Sequence, residues 1–180
     1  ALSSAASDVY KRQMLTRQLL PLMQPGCRIV NTVSCTYAIG RIEPDFFEKG
    51  KNGRFFRIPV YGNTKLALLL FTQELAKRIQ DKGITINASD PGIVSTNMIT
   101  MQAWFDPLTD ILFRPFIKTP AQGAATAIHL ALSNEAKDKN GCCYANCKKR
   151  NVSERIRHHT QQKQLWDDTE ILLRQKGIRF

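Results

Sequence analysis

Apolar residues recur along this chain in two alternating spacings, one helical and one strand-like. Met14 to Met23 carries Leu15, Leu19, Leu20 and Leu22 and stops at Pro25-Gly26, which predicts the end of a helix. Cys27 to Ser34 (CRIVNTVS) is a short β-branched run, predicted to be a buried strand. Cys35 to Ile58 contains Gly40, Pro44, Gly50 and Gly53 without a clear period, and loops of that length usually carry function. Val60 to Asp81 is the strongest helix, apolar almost all round in its first part and stopped by Gly83. Ile84 to Ser89 is a second strand, broken by Asp90-Pro91-Gly92. Ile93 to Lys118 has aromatic residues but no clean period. Thr119 and Pro120 then suit the N-cap and first position of a helix running to about Ser133. Gly141 to Asn146 reads as a third strand, and Ser153 to about Lys176 as one amphipathic terminal helix. Strands alternating with helices predict an α/β fold with a parallel sheet covered on both faces.

Size and charge narrow this further. The 180 residues are enough for one core and too few for two ordinary domains. Ala1 to Gln13, with the small-residue run Ser3 to Ser7, is expected to be a non-native or disordered leader ahead of one partial domain over 14–180. No stretch of about 18 uninterrupted apolar residues occurs, so no transmembrane helix is expected in the chain. The net charge is +11, but the basic residues are spread from Lys11 to Arg179, with one loose cluster at Lys148, Lys149 and Arg150. There is no basic stripe interleaved with stacking aromatics, so no nucleic-acid partner is expected; a binder of anionic phosphates fits the same charge. The five cysteines have no zinc-type spacing, so no metal site is expected, and they read as reduced thiols in an intracellular protein.

Tyr61 and Lys65 are four residues apart at the start of the strongest helix, which puts both on one face. A phenol titrates near ~10, too high for acid–base work at neutral pH, and an adjacent ammonium favours the phenolate. The two could therefore form a proton-transfer pair. Taken alone, a Tyr-x-x-x-Lys spacing is common and carries little. Its surroundings add weight: Ser34 ends the preceding strand, Asp90-Pro91-Gly92 ends the next, and ligands of parallel α/β sheets bind at such carboxyl ends. A hydroxyl at Ser34 could hydrogen-bond a carbonyl or alcohol oxygen, although a plain turn residue fits that position as well.

Together these segments resemble the short-chain dehydrogenases/reductases. RIVNTVS with Ser34, YGNTK with Tyr61 and Lys65, and NASDPGIVST over Asn87 to Thr96 come in the family's order. IKTPAQGAATAIHLAL, GCCYANCKK and LWDD (Leu165 to Asp168) look like the retinol dehydrogenase-like branch. The resemblance runs from about Met14 to Ile178 and implies the C-terminal half of a Rossmann-like, doubly wound parallel sheet.

That resemblance implies roles. Tyr61 would be the general acid/base, Lys65 would lower its pKa and hold the nicotinamide ribose, and Ser34 would orient the substrate oxygen. Asn31, Pro91, Gly92, Val94 and Thr96 would join Tyr61 and Lys65 in contacting an NADP or NAD cofactor, NADP being favoured by the branch. Met98, Trp104, Phe105 and Phe113 would line a mobile loop over a small apolar alcohol or carbonyl substrate, retinoid- or lipid-like. The family also carries an Asn on the helix before the Ser strand; counting back from Leu20-Pro21, that place falls near Asp8. Its glycine-rich TGxxxGxG loop and NNAG strand do not occur in this sequence. The expected function is an NAD(P)-dependent oxidoreductase, with a catalytically inactive fragment or a non-enzymatic interaction protein as the alternative. The branch further implies a cytoplasmic or endoplasmic-reticulum-face location, with membrane association and oligomeric state left open.

Overall fold

The computed structural model describes residues 4–42, 46, 57–94 and 117–178. Helix α1 spans Ser4–Leu19 and tightens into a 3-10 turn at Leu20–Leu22. The expectation of a leader outside the fold is corrected for residues 4–13, which make up most of α1. Val9 is fully buried there, and Gln13 donates from Nε2 to the Trp166 carbonyl at 3.2 Å. An apolar Val and a satisfied Gln, four residues apart, place one face of this helix inside the core.

Strand β1 (Arg28–Thr32) leads through Ser34 into a 3-10 turn at Cys35–Ile39. Helix α2 (Arg57–Arg78) follows, and Gly83 ends its C-terminal extension in the left-handed conformation, φ 65°. α2 packs on β1 and β2 with one side and on two other helices with the opposite side. That explains why Leu66, Leu68, Leu69 and Leu70 are all buried: the helix is sandwiched and has little solvent face in this part.

Strand β2 (Thr85–Asp90) pairs parallel to β1, from Arg28 opposite Thr85 to Thr32 opposite Ser89. Helix α3 (Pro120–Leu132) starts with the expected cap. The Thr119 hydroxyl accepts from Gln122 N–H, and the Gln122 side chain accepts from Thr119 N–H. At its other end, Arg28 Nη1 donates to the Leu130 and Ser133 carbonyls, tying β1 to the helix terminus. Strand β3 (Cys143–Ala145) is parallel to β2, and β4 (Lys148–Lys149) returns antiparallel through Asn146 and Cys147, both with positive φ. The short return strand was not expected from sequence, since it has no apolar pattern.

The terminal helix is in fact two: α4 (Glu154–Arg157) and α5 (Gln162–Gln175). Between them His159 Nδ1 accepts from Gln161 N–H at 3.3 Å, while Arg157 turns back ahead of α4 to Asn151 and the Val152 carbonyl. The sheet order is β1-β2-β3-β4. α1, α2 and α5 cover one face around Phe71, Leu75 and Trp166, whereas α3 covers the other over Leu130 and Tyr144. The result is the α/β arrangement expected, with β1 along one edge. Among the described residues the five cysteines are unpaired, and no helix is long and apolar enough to cross a membrane.

Candidate functional site

The carboxyl ends of β1 and β2 lie side by side, fastened where Val33 N–H donates to the Ser89 carbonyl at 2.8 Å. Ser34 follows directly. Its hydroxyl accepts from Thr36 N–H at 3.4 Å, starting the 3-10 turn. That turn then presses against the first turns of α2. A methyl group on Gly62 would meet the Thr36 carbonyl at 2.9 Å, and one on Gly40 would meet the Gly62 carbonyl and Leu66 Cβ. Two glycines therefore permit the approach that brings Ser34 to Tyr61. The Ser34 side chain hydrogen-bonds the Tyr61 phenol.

Lys65 lies one turn further along α2, with Nζ 5.3 Å from the centre of the Tyr61 ring. The ammonium faces the ring, and its carboxylate partner is Asp8 on α1, at 3.6 Å. Asp8 also pairs with Arg12 at 3.5 Å. The expected depression of the phenol pKa is corrected here: Tyr61 is raised above its usual value of 10.0. Burial is the first cause. The Ser34 hydrogen bond opposes it, and the charges of Asp90, Cys35 and Asp8 add to it.

Asn31 is not part of this cluster. It is buried in the helix–sheet interface, where its Nδ2 donates to Thr72 Oγ1 at 2.9 Å. Odd-numbered residues of β1 face α2, and Thr72 lies eleven residues, or ~16 Å, along that helix from Tyr61. The assignment of Asn31 to the cofactor site is thus corrected to an interface hydrogen bond.

Pro91, Gly92 and Val94 continue from β2. Gly92 N–H donates to Asp90 Oδ1 at 3.0 Å, and Gly92 takes φ 76°, which favours glycine. Val94 bridges to Lys118 and sits against α3; a methyl group on Gly123 would come within 2.5 Å of Val94 Cγ2. Lys118 was not singled out from the sequence. Its ammonium donates to the Pro91 carbonyl at 2.9 Å and to Asn146 Oδ1 at 2.6 Å, latching the carboxyl ends of β2 and β3 together. No local pattern marks it, because both partners are distant in sequence. Thr96, Met98, Trp104, Phe105 and Phe113 lie outside the described residues.

Comparison with known proteins agrees with this arrangement. The family model for short chain dehydrogenases matches residues 48–104, which hold Tyr61, Lys65, Pro91 and Gly92. Retinol dehydrogenase 12 of Mus musculus is 37% identical over 169 residues, covering 93% of this chain and 52% of that protein. Retinol dehydrogenase 14 of Homo sapiens is 34% identical over 167 residues, covering 89% and 48%. The chain thus spans about half the length of the curated relatives it matches. Among solved structures, L-sorbose reductase of Gluconobacter frateurii, complexed with NADPH and L-sorbose, superposes with a TM-score of 0.56 at 20% identity. That superposition covers 81% of this chain and 57% of the reductase, and it shows the shared fold. On this sequence similarity, the chain belongs to the short-chain dehydrogenase/reductase family and is retinol dehydrogenase-like.

Proposed function

We propose that the whole protein is an NAD(P)-dependent oxidoreductase that interconverts an alcohol and a carbonyl on an apolar, retinoid- or lipid-like substrate. The observation that carries this reading is the meeting of Ser34, Tyr61 and Lys65 at adjoining strand ends. A nicotinamide, when bound, supplies the hydride chemistry. Gly92, at φ 76°, lets the Lys118 side chain lie against the β2 end, where a methyl group would meet its Nζ at 3.0 Å. Lys65 would hold the ribose, and Pro91, Gly92, Val94 and Thr96 would hold the nicotinamide end. This sequence has no TGxxxGxG segment to offer a helix N-terminus to a pyrophosphate. Ser34 would hydrogen-bond the substrate oxygen, and the Tyr61 phenol would give or take its proton. NADP is favoured over NAD by the branch resemblance.

The raised Tyr61 phenol and the Asp8-paired Lys65 favour a second reading for the chain by itself, a non-enzymatic protein that keeps half the fold. One comparison decides between them. In the whole protein, Tyr61→Phe should abolish turnover of a long-chain aldehyde with NADPH while cofactor affinity stays nearly intact, and Lys65→Ala should weaken both. Near-normal turnover in Tyr61→Phe would remove the acid–base assignment. No turnover in the unaltered whole protein would favour the second reading.

A further inference from the structure

The cluster Lys148 to Arg150, which the candidate site does not use, borders a separate cavity. Two adjoining hollows of about 520 and 460 Å³ share Gln73, Gly141 and Arg157 and form one groove between α2 and the β3–β4 hairpin. Gln73 is twelve residues from Tyr61 on α2, or ~18 Å along the axis, so the groove is a different place from the strand-end cluster. Lys77, Lys149, Arg150 and Arg157 line it, and among the described residues no carboxylate does.

These charges differ in how far they are already neutralised. Glu154 holds Arg157 at 2.7 Å, and Glu74 holds Lys77 at 3.9 Å. Among the described residues Arg150 hydrogen-bonds only a neutral side chain, the Tyr37 phenol, and the Lys149 side chain has no ion pair or hydrogen bond. The Cys143 thiol in the wall is pushed up to about 12, first by burial, so it brings no negative charge. Gln73 lies on the floor, with its Oε1 shut away from the groove. Gly141, at φ 69°, keeps the wall thin beside Ala76, where a methyl group would meet Ala76 Cβ at 3.1 Å.

An uncompensated guanidinium and ammonium ask for an anion. The geometry points to a binding site for a phosphate monoester. A carboxylate would cancel one charge only. A monoester brings about 1.5 to 2 negative charges and three acceptor oxygens, which suit a guanidinium fork beside an ammonium. The hollows fall within the usual size of small-ligand sites.

Glycerol 3-phosphate is the probe, titrated into the 180-residue chain and followed by backbone amide shifts. Gln73, Gly141 and Arg150 should move together and saturate. Lys149→Gln/Arg150→Gln should weaken binding about tenfold or more, whereas Lys11→Gln/Lys163→Gln, which removes the same net charge elsewhere, should change it less than about twofold. Lys149→Gln alone guards against misfolding, since that side chain has no partner to lose; it too should weaken binding. Saturation by the soluble ester identifies a free phosphate as the source. Binding only to phosphatidylcholine vesicles containing phosphatidic acid, with the same double-variant sensitivity, identifies a lipid headgroup. Equal losses in the two double variants, shifts scattered over the surface, or no saturable response to either probe would overturn the site.

Discussion

The Asp8 carboxylate stands 3.6 Å from the Lys65 ammonium, on the turn of α2 that follows Tyr61. An ammonium shared with an aspartate has less to give a neighbouring phenolate. The Asp8 charge also acts on Tyr61 in the opposite sense, raising its pKa along with burial, Asp90 and Cys35.

Asp8→Asn should therefore lower the Tyr61 pKa. The measurement is phenolate absorbance against pH, with Tyr61→Phe subtracted to remove the other tyrosines. In a Lys65→Met background most of this change should vanish if Asp8 acts through the lysine. An unchanged midpoint in Asp8→Asn would show that the ion pair does not govern the phenol.

The contact between Gly40 and Gly62 predicts a second outcome. A methyl group on Gly40 has only the Gly62 backbone and Leu66 Cβ to press on, with Leu66 Cβ at 2.8 Å. Gly40→Ala should cost roughly 1–3 kcal/mol by overpacking, and it should move the Ser34 turn off α2. Urea unfolding gives the first quantity, and the Tyr61 titration gives the second by losing the Ser34 hydrogen bond. A variant as stable as the parent would mean that the turn has room to yield.

Alkaline pH should weaken the fold through Cys143. Its thiol goes from 9.0 to about 12, with burial as the main cause, so the folded state keeps the proton longer than the unfolded chain does. Stability is then unaffected below pH 9 and falls as pH rises from there towards 12, by roughly 4 kcal/mol for three units. The raised phenols of Tyr37 and Tyr144 add to the same decline at higher pH. Cys143→Ala should flatten the decline in urea midpoint between pH 9 and 11. Parallel decline in both proteins would assign the effect to other groups.

Legibility from sequence follows from how local each cause is. The α3 start could be read because Thr119, Pro120 and Gln122 make their cap among themselves. The sandwiched α2 could be read because leucines on every side need burial on every side. The Ser34–Tyr61–Lys65 set could be proposed from motif order, since each member ends or begins a readable element. Two kinds of feature could not be read. Asp8 with Lys65 and Lys118 with Pro91 and Asn146 are tertiary meetings of exposed-looking residues, and their sequence neighbours carry no trace of the partner. The break at His158–Gln161 has no glycine or proline; the His159 side chain takes the Gln161 N–H instead. Asn31 was misassigned for the converse reason: closeness in sequence to Ser34 says nothing about which face of β1 it occupies.

The bridge between Val94 and Lys118 makes the end of β2 and the start of α3 one mechanical unit. Lys118 N–H donates to the Ile93 carbonyl at 2.8 Å, and Val94 fits a notch at Gly123, where an added methyl group would come within 2.5 Å of Val94 Cγ2. A side chain at position 123 would therefore press on the β2 end from the opposite face of the sheet to α2, so drift at a small helix residue remote from Tyr61 can reshape the strand ends.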